Sequence, residues 1–135
     1  MKKLKQSAKL IALLTLICLS CMSARANDIT LEMEGTIGNY PATICITMKN
    51  GKAVSGYYWF KGSNAPQSGK IYLSGTCRHD PSSSYPWYDA VLTAKTTGGN
   101  VCGKWNVGFE TRTGTLEGTC TINGRKYDVT AEEVF

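Results

Sequence analysis

Residues 40–60 read YPATICITMKNGKAVSGYYWF, and the fold is decided in this stretch. Ile44, Ile46 and Met48 alternate with Thr43, Cys45 and Thr47, the period-two pattern of a strand with one buried face. Asn50-Gly51 then turns the chain into a second run that ends in Tyr57-Tyr58-Trp59-Phe60. Both residues of that pair tolerate positive φ, so the stretch predicts a β-hairpin.

Working outward, the same signature repeats. Residues 29–37 place Ile29, Leu31, Met33 and Ile37 on one side and Thr30, Glu32, Glu34 and Thr36 on the other. Further strands are predicted at 70–77, 87–95, 100–109, 115–122 and 126–134. Gly98-Gly99 and Asn123-Gly124 serve as turns, and residues 78–86 form a long loop rich in turn formers. A triplet of a β-branched residue or Leu, any residue, then Gly recurs at Val54-Ser55-Gly56, Leu73-Ser74-Gly75, Val101-Cys102-Gly103 and Leu116-Glu117-Gly118. Glycine inside a strand marks a bend or a close backbone approach, so four of them predict a curving sheet. The expected fold is all-β, an antiparallel up-and-down meander of about eight strands closed into a small barrel. A two-sheet sandwich is the alternative.

The N-terminus is built differently. Lys2, Lys3, Lys5 and Lys9 precede an apolar run over residues 10–19, and Ala24-Arg25-Ala26 follows. This is the layout of a secretory signal peptide, too short in its apolar part to span a bilayer. The expectation is a signal peptide at 1–26 and one exported domain, periplasmic or secreted, at 27–135. A lipid anchor on Cys21 is the secondary reading, because Cys18 stands where a lipobox places Leu. The net charge of +5 belongs to the leader, since residues 27–135 hold ten basic and ten acidic side chains. The basic balance is therefore no argument for nucleic-acid binding, which needs a clustered positive patch, and no nucleic-acid partner is expected.

Cys45, Cys77, Cys102 and Cys120 remain in that domain. An even count in an exported domain predicts two disulfides, and the wide spacings exclude a zinc site. Face parity favours pairs 45–102 and 77–120, whereas strand direction argues against them, so all three connectivities stay open. No phosphate loop, hydrolase elbow or metal motif is present, and no cofactor is expected. His79 beside Asp80 and near Cys77 reads as part of a polar turn. Glu32, Glu34, Glu117 and Glu132 read as solvated outer-face acids, and the chain is expected not to be an enzyme.

The aromatic residues carry the functional expectation. If Val54, Gly56, Tyr58 and Phe60 line the core, Tyr57 and Trp59 point outward beside Tyr72. Tyr and Trp bury large area at low entropy cost, so this is the composition of a recognition surface. Tyr57, Trp59, Lys61 and Tyr72 are therefore the expected contacts of an unknown protein partner. A filled interior and a cavity for a small apolar ligand are both compatible with the inward set Ile44, Ile46, Met48, Leu73, Leu92, Trp105, Val107 and Leu116.

Gly38-Asn39-Tyr40-Pro41, the alternating strand Ile44 to Met48, Val54-Ser55-Gly56-Tyr57-Tyr58 and Ile71-Tyr72-Leu73-Ser74-Gly75 together resemble a loose group of small exported bacterial β-barrel proteins. The resemblance implies a barrel and supplies no activity; the cysteines are not part of its pattern. A shorter one is carried by Trp59-Phe60-Lys61-Gly62-Ser63-Asn64-Ala65, which is similar to a segment of the periplasmic inhibitors of c-type lysozyme. It implies that Lys61 reaches an acidic enzyme cleft, although Ser55-Gly56 lies too close to supply the family's separate Ser-Gly segment.

Overall fold

A computed structural model describes residues 28–134. The expected signal peptide at 1–26, with Cys21, lies outside the described residues. Eight strands follow in chain order: β1 (Ile29–Ile37), β2 (Tyr40–Lys49), β3 (Ala53–Phe60), β4 (Ile71–His79), β5 (Trp87–Lys95), β6 (Val101–Glu110), β7 (Thr115–Ile122) and β8 (Arg125–Glu133). Each pairs antiparallel with the next, and β8 pairs back onto β1 between Met33–Ile37 and Val129–Glu133, closing the barrel. Closure removes free sheet edges and settles the choice against a sandwich.

The turn chemistry is as the sequence dictates. Asn50 and Gly51 have φ of 53° and 68°, and Asn123 and Gly124 have 49° and 85°. Positive φ at both central residues gives turns whose twist matches the strands they join. The four repeated glycines, Gly56, Gly75, Gly103 and Gly118, all fall at inward positions where a Cβ would overlap the backbone of the neighbouring strand. They are the bends of the barrel wall, and side chains there would hold the strands apart.

Side chains occupy the interior. Trp105, Tyr58, Phe109, Met33, Ile44, Ile46, Leu92 and Leu116 are fully buried. Tyr58 and Trp105 pack with ring centroids 5.0 Å apart near mid-height. Rings also close the two ends. Tyr40 lies edge-on against Phe60 and Tyr127 at one end, while Tyr88 stacks on Phe109 at the other. At the first end Gln67, from the loop between β3 and β4, reaches in to accept a 2.6 Å hydrogen bond from the Tyr58 hydroxyl.

No helix among the described residues is long and apolar enough to cross a membrane. Outward strand positions carry Glu32, Glu34, Asp89, Lys104, Asn106, Glu117 and Asp128, while the inward ones are apolar. A lipid-facing barrel has the reverse arrangement.

Candidate functional site

The hairpin register places Tyr57 opposite Cys45 and Trp59 opposite Thr43, all on the outer face. From the other side, β4 sets Tyr72 directly opposite Tyr57, and β5 sets Lys95 opposite Tyr72. Tyr57 and Trp59, two residues apart on one strand face, stack with centroids 5.8 Å apart and planes 12° from parallel. The Lys70 ammonium sits 4.3 Å from the Tyr57 ring centre and 5.7 Å from that of Trp59. An ammonium over aromatic faces is attracted by their negative quadrupole, and the contact fixes the rings. Tyr72 is 44% exposed.

Tyr57, Trp59 and Tyr72 are thus brought together as one surface. Lys61 is engaged at their border: its ammonium pairs with the Glu34 carboxylate, which also accepts from the hydroxyl of Thr43, the residue opposite Trp59. Lys61, with Thr43 assisting, holds the Glu34 carboxyl below its ordinary range. Lys70 and Cys45 complete the surface, and neither was expected there. Cys45 is the chief cause of a raised Tyr57 hydroxyl pKa. A two-residue Asn50-Gly51 loop would set Cys45 opposite Gly56; the loop also takes in Lys52, and that extra residue brings Tyr57 opposite Cys45. Nothing in the aperiodic loop marks Lys70.

The two expected disulfides are not formed, and all four thiols are free. Cys45 lies on the outer wall under Tyr57. Cys102, which strict alternation with the inward Gly103 and Trp105 would set on the outer face, instead packs partly against the core. The reason is a bulge: Ala94 pairs with Gly103 and Lys95 with Val101, which leaves Cys102 unmatched and able to turn in. There its sulfur accepts from the Gln67 amide at 3.3 Å. A 45–102 pair would have to cross the barrel wall. Cys120 is buried beside Trp105, while Cys77 lies nearer the opposite end, across from Ala90.

Burial pushes the Cys120 thiol up to about 12 and also raises Cys77 and the Tyr58 hydroxyl. All three are neutral in the folded chain and ionise more readily once exposed. The folded state therefore keeps more protons than the unfolded one above the ordinary thiol range, and stability falls as pH rises from about 9 towards 12. Urea midpoints measured by circular dichroism should be level between pH 7 and 8 and decline through pH 9–11. Cys120→Ala should flatten that decline; an unchanged slope in the variant would show that Cys120 is not its source.

The remaining candidates do not assemble. His79 lies edge-on to Tyr88, 5.3 Å between ring centres, and the raised Cys77 is a thiol rather than a nucleophilic thiolate. Glu34 and Glu132 are direct cross-strand neighbours and line a shallow depression with Glu117, so these acids are closer together than alternation alone suggests. No group of three or more metal-ligating side chains occurs among the described residues. The chain matches no known protein family, no curated protein and no solved structure.

Proposed function

We propose that the chain is an exported, non-enzymatic binding module that captures a protein partner on the outer face of β3 and β4. The carrying observation is the stacked Tyr57–Trp59 pair, held by Lys70 and continued by the exposed Tyr72. Rigid aromatic side chains lose little entropy on contact, and this pair is ordered before any partner arrives. Lys70 and Lys95 flank the rings without an ion pair among the described residues, which favours a partner segment bearing carboxylates. The filled interior and the tethered Lys61 support this surface over an apolar ligand cavity or an inserted lysine.

The test is a Tyr57→Ser, Trp59→Ser double variant. Both side chains are outside the core, so its melting temperature should stay within about 5 °C of the parent. Crosslinking in cell extracts, followed by calorimetry with the recovered protein, should show a partner held by the parent and lost by the variant, with affinity falling as salt rises. Equal capture by both proteins would remove the proposal, and collapse of folding would show that the rings belong to the core.

A further inference from the structure

The outer wall also carries an open groove of about 1290 Å³, running from the β2–β3 turn and the end of β4 across β5 to β8. Its floor contains an exception among the strand glycines. Gly108 faces outward rather than inward, and the space its Cβ would take is filled by the Trp87 indole, whose Cζ2, Cε2 and Nε1 atoms are nearest. The ring therefore lies against the backbone of β6, leaving Gly108 buried while Trp87 stays partly exposed. Its Nε1 donates to the Asp89 carboxylate at 3.1 Å, which fixes the ring's orientation.

The register sets the surroundings. Asp89 pairs with Gly108, and Gly108 pairs with Glu117. The indole thus lies between two exposed carboxylates on strands about 10 Å apart, twice the interstrand spacing. Asn106, two residues from Gly108 on the same face, adds an exposed amide. Neither Asp89 nor Glu117 has an ion pair among the described residues.

We infer that this groove is a saccharide-binding site, with Trp87 as the platform for one pyranose ring. The C–H groups on one face of a pyranose are weakly positive and pack on the negative face of an indole. Hydroxyls at the ring's rim donate to Asp89 and Glu117 in charge-assisted bonds, and the Asn106 amide donates to and accepts from a third. The groove continues past the platform on both sides, which suits an oligosaccharide. A lone organic cation would also meet an aromatic face and carboxylates, but cation recognition uses several aromatic walls and this site has one. Arg78, directly across from Asp89, and Lys52 also line the groove, so its charge is mixed and it suits a neutral glycan. This inference is independent of the β3–β4 surface.

Nuclear magnetic resonance of ¹⁵N-labelled protein tests it, because Trp59, Trp87 and Trp105 give three separate indole N–H signals. Cellotetraose, chitotetraose and maltotetraose are titrated singly to about 10 mM, with choline chloride as the cation probe. The expected result is a saturable shift of the Trp87 signal with at least one tetrasaccharide, with Trp59 and Trp105 unmoved. Trp87→Ala should abolish backbone shifts in β5–β7 while the other two indole signals stay in place, and Asp89→Asn should weaken binding severalfold. Three silent tetrasaccharides overturn the inference. So does binding that survives Trp87→Ala, or a response to choline alone.

Discussion

Gly56→Ala is expected to lower stability by about 3 kcal/mol or more, among the largest effects of any single methyl in this chain. The added Cβ would overlap the Cys45 carbonyl oxygen and approach the Ile46 Cα to 2.9 Å. Both are backbone atoms of β2 held in the ladder, so neither can turn aside as a flexible side chain would. Relief requires parting β2 from β3, which breaks hydrogen bonds and opens the wall beside Ile46. Gly75→Ala should behave alike, since its Cβ meets the Val91 carbonyl and the Leu92 Cα. For a domain of this size the loss corresponds to a melting temperature lower by about 12 °C or more. Gly62→Ala is the control, because nothing lies within 4 Å of its Cβ position, and it should change stability by less than about 0.5 kcal/mol. Three equal melting curves would mean that the wall is not pinched at these glycines.

Trp105→Ala should remove about 3–5 kcal/mol, the range for deleting a large buried aromatic. Trp105 is 0% exposed and packs on Tyr58 at mid-barrel, where the surrounding strands form a closed hoop that cannot collapse inward. Its Nε1 is buried without a hydrogen-bond partner among the described residues. Trp105→Phe therefore loses ring area but also removes an unsatisfied donor, and should be milder, about 1–2 kcal/mol. Urea unfolding of the two variants separates the terms. A loss below about 1 kcal/mol for the alanine variant would indicate a loosely filled interior and restore the case for an apolar ligand.

Much of this architecture could be read from the residues. The bounds of β1, β5 and β7 follow from alternation, and both Asn-Gly pairs carry the positive φ their chemistry suggests. The recurrent Gly triplets marked the inward bends, because only a curved wall brings backbones so close. What escaped reading was non-periodic. The bulge beside Ala94 reversed the facing of Cys102, and no single-chain pattern announces a bulge. Gln67 and Lys70 act from a loop, where sequence spacing carries no direction. The even cysteine count suggested pairing, yet the four residues fall on separate parts of the wall. Of the aromatic surface, the shared face of Tyr57, Trp59 and Tyr72 was legible from parity, whereas no spacing announces that Lys61 pairs with Glu34. The Trp87 platform depends on a register across three strands, which becomes countable only once the pairing of β5 with β6 is known.

Closure between the first and last strands also sets a timetable. Met33 meets Ile44 early but its β8 partner only when Glu133 is available, so a nascent chain cannot complete its hoop until the eighth strand has been released. Contacts this distant in sequence are slow to form, and a meander lacking its last strand leaves β1 and β7 with open edges. A chain built in this way gains from staying unfolded until it is whole. Truncation by even one strand should turn it from a closed hoop into a template for pairing with its own copies.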